Sequence, residues 1–359
     1  MIQYLLAGSG RYIQGEHILS GITAQMKQMG VSQPLVMGGK RALEAAWPDL
    51  KNAFDSSNLD VSPAIYSGHC TDLAVQFFAD AARNCDCIIG VGGGSCLDTA
   101  KAAAYKRGVP VICIPTSAAT CAATTALSVM YSEEGKQIRI DFFDREVDLV
   151  MADTYILSQA PPRLLTAGIA DSFAKYCEYA SPNPTLEWGR KDVGLFSGFA
   201  LAAAANEILL HQGRDAYEAI KNKTVTPALE DCIFTNLSLI GVVSGLGGFG
   251  GRGGARFAIA HALNEVMRIH FPAVAEHWLH GELVGVGILM QMRANGCDEK
   301  DIKELKELFS ALDLPTSLSQ LNFPETTEDL DKLCQLLLEC TSLSGRQRQS
   351  AEEAIKRTA

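Results

Sequence analysis

IIGVGGGSCLDTAK, residues 88–101, is the stretch that decides the fold. It joins an apolar run to a helical pattern through three consecutive glycines, Gly92, Gly93 and Gly94. Glycines let the backbone approach a ligand closely and adopt positive φ, and the first amides of a helix point outward beside a partial positive charge. The stretch therefore predicts a turn that holds a phosphate or pyrophosphate. A tight turn without a ligand is the alternative, because a single G-x-G pattern does not separate the two.

Two polar residues follow the glycines and favour a bound ligand. They are Ser95 and Asp98, and the pattern places Asp98 in the first turn of the following helix. An acid there is either a surface group matched to the helix dipole or a hydrogen-bonding partner for a cofactor amide or ribose. Both interpretations stay open on the sequence.

The composition limits the class of protein. A chain of 359 residues is longer than one ordinary core, so two domains are expected, and 47% apolar residues are enough for both cores. A net charge of −10 predicts that neither nucleic acid nor an anionic membrane is a partner. The expected partner is a small molecule.

Cysteine usage and apolar segments predict a cytoplasmic protein. The eleven cysteines are odd in number and form no C-x-x-C pair, which is typical of a reducing compartment. The N-terminus shows no basic leader, so no signal peptide is predicted. The most apolar later stretch, Phe196 to Leu210, is too short to span a bilayer and predicts a buried helix.

The periodicity changes near Pro161-Pro162. Before this point, apolar runs alternate with helical segments, which predicts an α/β N-terminal Rossmann-like parallel-sheet domain over residues 1–160. Residues 126–131 and 137–143 also predict an antiparallel hairpin. After it, the pattern is helical throughout and predicts an all-α C-terminal domain over residues 161–359.

A second glycine pattern, Gly245 to Gly250, formally matches G-x-G-x-x-G. It follows a helical pattern instead of a strand, and the motif has force only between a strand and a helix. We therefore interpret it as a flexible connection near a cleft.

Three residues in the helical part predict a metal site. Asp171, His261 and His280 each lie in a helical pattern among small or apolar neighbours. A buried carboxylate requires a partner, and one Asp with two neutral imidazoles can bind a metal while leaving positions open for substrate. The alternative for His261 is a hydrogen-bonded core histidine. A structural metal site would need a fourth protein ligand, which the sequence does not offer.

Taken in order, these motifs resemble a known family. The matching stretches run over residues 90–101, 115–131, 148–171 and 245–287, so they are spread over both predicted domains in the order of the family. They resemble the glycerol dehydrogenase branch of the iron-containing alcohol dehydrogenase superfamily, which is also similar in fold to dehydroquinate synthases. The resemblance implies a dinucleotide-binding α/β domain, a helical metal-binding domain, an active cleft between them and a homo-oligomer.

The resemblance also assigns roles to individual residues. It implies that Asp171, His261 and His280 ligate one divalent metal at the catalytic centre. It implies cofactor contacts from Gly92, Gly93, Gly94, Ser95, Asp98, Thr116, Thr125, Leu127 and Tyr131.

Two departures from the family concern the metal and the substrate. Iron-binding members carry a His four residues after the metal Asp, where this chain has Lys175, so zinc is favoured over iron. Glycerol dehydrogenases have a substrate-contacting Asp where this chain has Cys121. A thiol is a poor hydroxyl acceptor, so glycerol is doubtful as the physiological substrate. We expect Cys121, beside His261 at the substrate, to be an apolar pocket wall and not a nucleophile, because no base is adjacent.

A third departure concerns the cofactor. The acid that usually ends the second strand and holds the adenosine ribose is replaced at Gly38-Gly39-Lys40. Gly39 therefore leaves the choice between NAD and NADP open, with Lys40 or Arg41 available for a 2′-phosphate. The alternative is that both cations are ordinary solvated charges at a helix start.

The sequence thus predicts a metal-dependent NAD(P)-linked alcohol dehydrogenase or carbonyl reductase for a small alcohol or polyol. One alternative is a dehydroquinate-synthase-like lyase for a phosphorylated sugar acid, which would use Arg252, Arg256 and Arg268. Another is a non-catalytic nucleotide-binding relative, with Cys121 and Asn264 as signs of a site that has drifted.

Overall fold

A computed structural model of the chain describes residues 6–180, 193–247, 258–324, 326–341 and 345–358. The strands are β1 (Tyr12–Gly15), β2 (Pro34–Gly39), β3 (Ala64–Tyr66), β4 (Cys87–Gly92), β5 (Val111–Pro115), β6 (Leu127–Tyr131), β7 (Gln137–Phe142) and β8 (Leu149–Asp153). Six of them form one parallel sheet in the order β1-β8-β5-β4-β2-β3. Strands β6 and β7 pair antiparallel, which confirms the predicted hairpin.

Helices flank the sheet and then make up the rest of the described chain. They are α1 (Ile22–Met29), α2 (Lys40–Ser56), α3 (Asp72–Ala81), α4 (Gly94–Arg107), α5 (Thr154–Ser158), α6 (Pro162–Ala180), α7 (Val193–Lys221), α8 (Pro227–Phe234), α9 (Ile240–Gly247), α10 (Ile259–His270), α11 (Pro272–Ala275), α12 (His280–Ala294), α13 (Glu299–Ala311), α14 (Thr327–Glu339) and α15 (Gly345–Lys356). After Asp153 the described residues contain no strand. This arrangement confirms a Rossmann-like parallel sheet followed by an all-α part.

The two faces of the sheet are covered by different helices. Leu50 and Phe54 of α2 pack with Val36 of β2 on one face. On the other face, Phe78 of α3 and Leu97 of α4 pack with the neighbouring strands. From β2 the chain continues outward to β3, and it then crosses to β4 on the other side of β2 and continues to β5. The switch point of the sheet therefore lies between β2 and β4. In open α/β sheets, ligands bind at the carboxyl ends of the strands at such a switch point.

The helical part shares its core with the sheet. Val150 of β8 belongs to the same buried apolar cluster as Phe173 of α6 and Phe309 of α13. The rings of Phe173 and Phe309 meet edge to face, with their centroids 5.7 Å apart. Burial of aromatic surface is a large favourable contribution to folding, so this shared core fixes the helices against the sheet.

Helix α7 differs from the prediction in both length and burial. It runs over 29 residues and passes through Asn206 and Glu207, so the expectation of a segment too short to cross a bilayer is wrong. Two described segments, Val193–Lys221 and Pro227–Leu246, are long and apolar enough to cross a membrane, judged by length and composition only. Only 22% of the most apolar window of the first is buried, and most of its other residues are half-buried, so the expected buried helix is only partly covered in the single chain. Core helices of soluble proteins pass the same test, which makes this weak evidence for a membrane span.

Candidate active site

The glycine turn uses close packing instead of positive φ. A Cβ atom on Gly90 would lie 2.6 Å from Cβ of Ala100, and one on Gly92 would lie 2.8 Å from Cβ of Cys96. Gly93 has φ −87°, and Gly92 and Gly94 are also absent from the residues with positive φ. The expectation of positive φ is therefore wrong, because extended β4 passes directly into α4. The glycines instead let that helix start tightly against the strand.

The backbone at Gly93 is open. No heavy atom lies within 4 Å of the place where its Cβ would be, and the same holds for Gly39 at the end of β2. Gly39 precedes α2 as its N-cap residue, and Gly93 precedes α4 in the same way. Since Gly38 pairs with Val91 across β2 and β4, both helix starts lie at the carboxyl edge of the sheet where the switch point falls. Unbonded helix amides at this edge suit an anionic ligand.

The other predicted cofactor residues lie in α4, in the segment after β5 and in β6. The amide of Thr116 donates to the carbonyl oxygen of Gly92 at 3.0 Å, which holds the end of β5 beside the turn. Thr125 and Leu127 are buried. The ring of Tyr131 stacks on His69 with centroids 5.2 Å apart, and Ser95 lies partly buried in the first turn of α4.

Asp98 lies in a buried ion pair. Helix α4 begins at Gly94, so Asp98 falls beyond the first turn and is buried, and the surface-acid interpretation is wrong. Its Oδ2 accepts from the amide of Val129 at 3.1 Å, and its Oδ1 lies 2.9 Å from Nζ of Lys101. A buried charge is tolerated when it is paired and hydrogen-bonded. The pair therefore attaches α4 to the start of the hairpin.

Lys101 is a residue that the sequence reasoning missed. Its side chain is only 1% exposed, and its ammonium donates to the carbonyl oxygens of Ala122, Thr125 and Leu127. These bonds fix the segment that carries Cys121 and the predicted cofactor contacts. The available signal was an Asp and a Lys three residues apart in a helix of small residues, where both must lie on one face.

Asp171, His261 and His280 come together from three helices. Oδ1 of Asp171 lies 3.2 Å from Nε2 of His261 and 3.3 Å from Nε2 of His280. The three ligand atoms lie within 4.8 Å of one another. The side chains are 7%, 28% and 36% exposed in that order, so the carboxylate is covered and the imidazoles face an opening. One carboxylate oxygen and two imidazole nitrogens are the ligand types of a catalytic zinc site.

Glu178 is the second residue that sequence reasoning missed. Its Oε1 and Oε2 lie 2.8 and 2.9 Å from Nδ1 of His261, and Oε1 also accepts from the amide of His261 at 3.0 Å. A proton on Nδ1 then leaves Nε2 pointing at Asp171. Glu178 lies seven residues after Asp171, two helical turns along α6, and this spacing was the available signal.

The pKa values in the cluster reflect these contacts. Burial opposes ionisation of Asp171, but hydrogen bonds from His261 and His280 outweigh it and hold the pKa of this carboxyl well below its usual range. Burial also lowers the pKa of His261, but the Glu178 carboxylate overcomes this effect and raises it to about 9. The contacts within the cluster therefore stabilise the ionised form of Asp171 and the protonated form of His261.

Lys175 lies on the same face of α6, one turn after Asp171. Its Nζ is 3.5 Å from Nε2 of His261. The side chain is half-buried. At the position where the family resemblance implies a fourth ligand for iron, this chain thus places a cation beside the three side chains.

Close helix contacts set the separation of the three ligands. A Cβ atom on Gly281 would lie 1.8 Å from the carbonyl oxygen of Ala167, so only glycine lets α12 approach α6 this closely. Buried Glu282 accepts from Nη2 of Arg163 at 2.6 Å and from the amide of Leu279 at 2.7 Å. These bonds cap α12 directly at His280 and tie its first turn to α6.

Cys121, the predicted pocket wall, is buried. It packs with Ala205 and Ile240. Burial raises the pKa of its thiol to about 11, with smaller effects from Lys175 and Asp171. The thiol is therefore protonated at neutral pH, which supports the expectation that it is not a nucleophile.

A turn of π-helix anchors the wall next to Cys121. It spans Thr235–Leu239 and presents Asn236, which donates to the carbonyl oxygen of Ala118 at 3.1 Å and accepts from Ser172 at 2.9 Å. Single turns of π-helix are frequent at functional sites. The bonds connect the segment after β5 with the helix that carries Asp171.

The arginines considered for a phosphorylated substrate give little support to a lyase. Arg268 donates to Oδ1 of Asn264 at 3.1 Å and to the carbonyl oxygen of Trp278 at 2.9 Å, so it organises the loop before α12. Arg252 and Arg256 lie outside the described residues. Gly245 lies in helix α9 against the carbonyl oxygen of Leu6, and the rest of that glycine pattern from Gly248 onward also lies outside them.

Comparisons with known proteins show the family to which the chain belongs. Residues 9–154 match the family model described as iron-containing alcohol dehydrogenase. A glycerol dehydrogenase from Thermotoga maritima is 33% identical over 334 residues, covering 91% of this chain and 87% of that protein. Hydroxycarboxylate dehydrogenase A from Escherichia coli is also 33% identical, over 84% of this chain and 81% of its own length.

A solved structure is similar along the whole chain. The glycerol dehydrogenase of Schizosaccharomyces pombe superposes with a TM-score of 0.82 at 24% identity, covering 100% of this chain and 91% of that one. Sheet, helical part and sequence together define a class: the chain belongs to the iron-containing alcohol dehydrogenase family. Within that family it resembles the glycerol dehydrogenases.

Proposed function

We propose that this chain is a metal-dependent, NAD(P)-linked dehydrogenase that interconverts a small alcohol or polyol and its carbonyl compound. The observation that carries the proposal is the convergence of Asp171, His261 and His280 within 4.8 Å. Family membership and the glycine turn at the switch point support the cofactor class. We assign residues 1–160 to the cofactor and residues 161–359 to the metal.

The three side chains fit one divalent metal. Their donor atoms are of the right types, the carboxylate is covered, and Nδ1 of His261 is occupied by Glu178 so that Nε2 is left for a ligand role. We favour zinc over iron, since Lys175 stands where a fourth ligand would be. A metal held there supplies Lewis-acid polarisation of a substrate oxygen.

The chain's own residues bind the cofactor and position the substrate pocket. The turn from Gly92 to Ser95 binds the pyrophosphate, with contacts to the cofactor from Asp98, Thr116, Thr125, Leu127 and Tyr131. Lys101 keeps the segment carrying Thr125 in place, and Cys121 closes the substrate side of the pocket. A nicotinamide cofactor held by these residues would supply the hydride acceptor or donor for the substrate carbon. The open surroundings of Gly39, with exposed Lys40 and Arg41, support NADP as well as NAD.

We also propose a cytoplasmic homo-oligomer. All eleven cysteines are free thiols, which supports a reducing compartment. The exposed apolar face of α7, with Val193 56% exposed, supports coverage by a second copy of the chain. Light scattering of the purified protein should give a multiple of the 38.5 kDa chain mass. A monomer that partitions into detergent would contradict this proposal.

The function is tested with a panel of diols, polyols and simple alcohols and their matching carbonyl compounds, each with both nucleotides. Zinc content is measured on the same preparation by elemental analysis. We expect about one metal per chain and net formation of reduced nucleotide with at least one alcohol. Nucleotide binding without metal and without turnover would overturn the proposal and favour a non-catalytic relative.

A further inference from the structure

Strand β7 forms the outer edge of a two-stranded sheet. It pairs antiparallel with β6, and no third strand joins it among the residues that the structure describes. The ladder is regular from Arg139 to Phe142, and the amide of Phe143 continues it by donating to the carbonyl oxygen of Ala126 at 3.0 Å. Since bonded and non-bonded residues alternate along an antiparallel pair, the amide and carbonyl of Ile140 point away from β6. Such an edge is a template for a further strand.

This edge is apolar and exposed. Ile138 is 52% exposed and Ile140 38% exposed, in a strand whose other residues are also mostly exposed. An apolar edge strand of this kind is an aggregation site unless another element covers it. The described helices and strands of the chain leave these side chains open, so a specific cover has to come from a partner.

The charges on the strand select a second copy of β7 as that partner. Directly opposed residues of a new antiparallel pair must both face the shared edge or both face away from it, so a two-fold axis has to pass through one residue. An axis at Arg139 or Asp141 would oppose like charges, which destabilises a strand pair, and an axis nearer either end would pair fewer residues. An axis at Ile140 opposes each Arg139 with the partner's Asp141. Arg139 already bonds to Asp141 of its own strand, and the carboxylate oxygens of Asp141 can accept further bonds.

The same relation of opposite charges continues at both ends of the strand. Lys136 lies four residues before Ile140 and Asp144 four residues after it, and both are exposed. A two-fold axis at Ile140 brings each Lys136 to the end of the strand where the partner's Asp144 lies. The segment from Lys136 to Asp144 is therefore complementary in charge to a second copy of itself running in the opposite direction.

Resting on the homo-oligomer proposed above, we propose that β7 pairs antiparallel with β7 of a second copy of the chain, with the two-fold axis at Ile140. The amide of Ile140 donates to the carbonyl oxygen of the partner's Ile140, and the reverse bond follows from the symmetry. Two hairpins then form one four-stranded sheet. This contact lies on a different surface from the exposed apolar face of α7.

The first test compares the particle mass of wild type, Ile140→Lys and Ile140→Pro by sedimentation equilibrium. Lysine places two like charges at the axis, and proline removes the outward amide without removing a bond to β6. We expect either change to lower the mass at least twofold while the far-ultraviolet circular dichroism stays the same. An oligomeric wild type whose mass neither change lowers would overturn the β7 contact alone. A monomeric wild type would overturn both this contact and the proposed homo-oligomer.

Disulfide crosslinking tests the register. In Ile140→Cys the two new thiols meet at the axis, where the Cα atoms of a hydrogen-bonded antiparallel pair lie about 5.5 Å apart, within the range for a disulfide. In the matched variant Ile138→Cys each thiol lies roughly 13 Å from its copy, because four residues of extended strand separate them. We expect oxidation with diamide to give a covalent dimer on a denaturing gel only in Ile140→Cys. Equal crosslinking of the two variants, or none above wild type, would overturn the register.

Charge reversal tests the pairing without a covalent bond. Lys136→Glu and Asp144→Lys each create two like-charge pairs in a homodimer, so each should weaken self-association about tenfold. In a mixture of the two variants every opposed pair is again of opposite sign, and the affinity should return close to that of wild type. Association that stays weak in the mixture, or that neither single change weakens, would overturn the axis at Ile140.

Discussion

The glycine turn and the cluster of Asp171, His261 and His280 are built in opposite ways. The turn consists of consecutive residues, Gly92 to Ser95, and offers backbone amides at a helix start. The cluster takes side chains from α6, α10 and α12, and Asp171 and His261 are 90 residues apart in the chain. A backbone site depends on what can approach it, whereas a side-chain site depends on how its helices are held.

The difference shows in the supporting residues. The turn needs small residues against its own strand, as at Gly90 and Gly92. The cluster needs a longer chain of support: Glu178 orients one imidazole, and Glu282 caps the helix that begins with the other. We therefore expect changes near the cluster to affect metal binding, and changes in the turn to separate into cofactor effects and folding effects.

The largest effect is expected from Asp171→Ala, which removes the ligand shared by both histidines. Metal content should fall to background and kcat should drop more than ~1000-fold, while cofactor binding remains. Elemental analysis and nucleotide fluorescence titration measure the two properties separately. Asp215→Ala, at an exposed position of α7, is the control. Full activity in metal-free Asp171→Ala would contradict the assignment of a catalytic metal to this cluster.

Next comes Gly281→Ala, which tests whether helix approach sets the cluster. The added Cβ would lie 1.8 Å from a backbone oxygen, so α12 must move away from α6. We expect a loss of about 3 kcal/mol in the free energy of unfolding, measured by urea denaturation, and weaker zinc binding. The matched control is Gly213→Ala in α7, where the nearest atom is 3.8 Å away and alanine should stabilise by about 0.5–1 kcal/mol. Equal stability of the two variants would contradict this account.

Glu178→Gln should leave the fold intact and weaken metal binding. The amide cannot hold the proton on Nδ1 of His261 as a carboxylate does, so zinc affinity should fall about 10- to 100-fold. Competition with a chromophoric chelator measures this affinity, and thermal unfolding monitors the fold. An unchanged affinity would show that α10 alone orients His261.

The smallest effect is expected in the turn, from the pair Gly93→Ala and Gly92→Ala. Gly93 has ordinary φ and open surroundings, so alanine there should weaken cofactor binding about tenfold without a loss of stability. In Gly92→Ala the added methyl group would lie too close to Cys96, so the free energy of unfolding should fall by about 1–3 kcal/mol. Cofactor titration and denaturation of both variants test this. Unchanged cofactor binding in Gly93→Ala would contradict the assignment of the pyrophosphate to this turn.

The sequence alone was enough for the features that are local or periodic. Alternation of apolar runs predicted the parallel sheet, the turn signal after Tyr131 predicted the hairpin, and the three glycines marked the start of α4. The motif order was enough for the family. Asp171, His261 and His280 could be chosen because small and apolar neighbours made each an unusual place for a polar group.

Only the tertiary structure decided the rest. It showed negative φ in the glycine turn, the buried Asp98–Lys101 pair, the 29-residue length of α7 and the contact of Glu178 with His261. Each depends on contacts between segments distant in the chain or on a helix boundary that packing sets, and a sequence pattern carries only local periodicity. The residue types of the site were therefore readable from the sequence, but the partners that orient them were not.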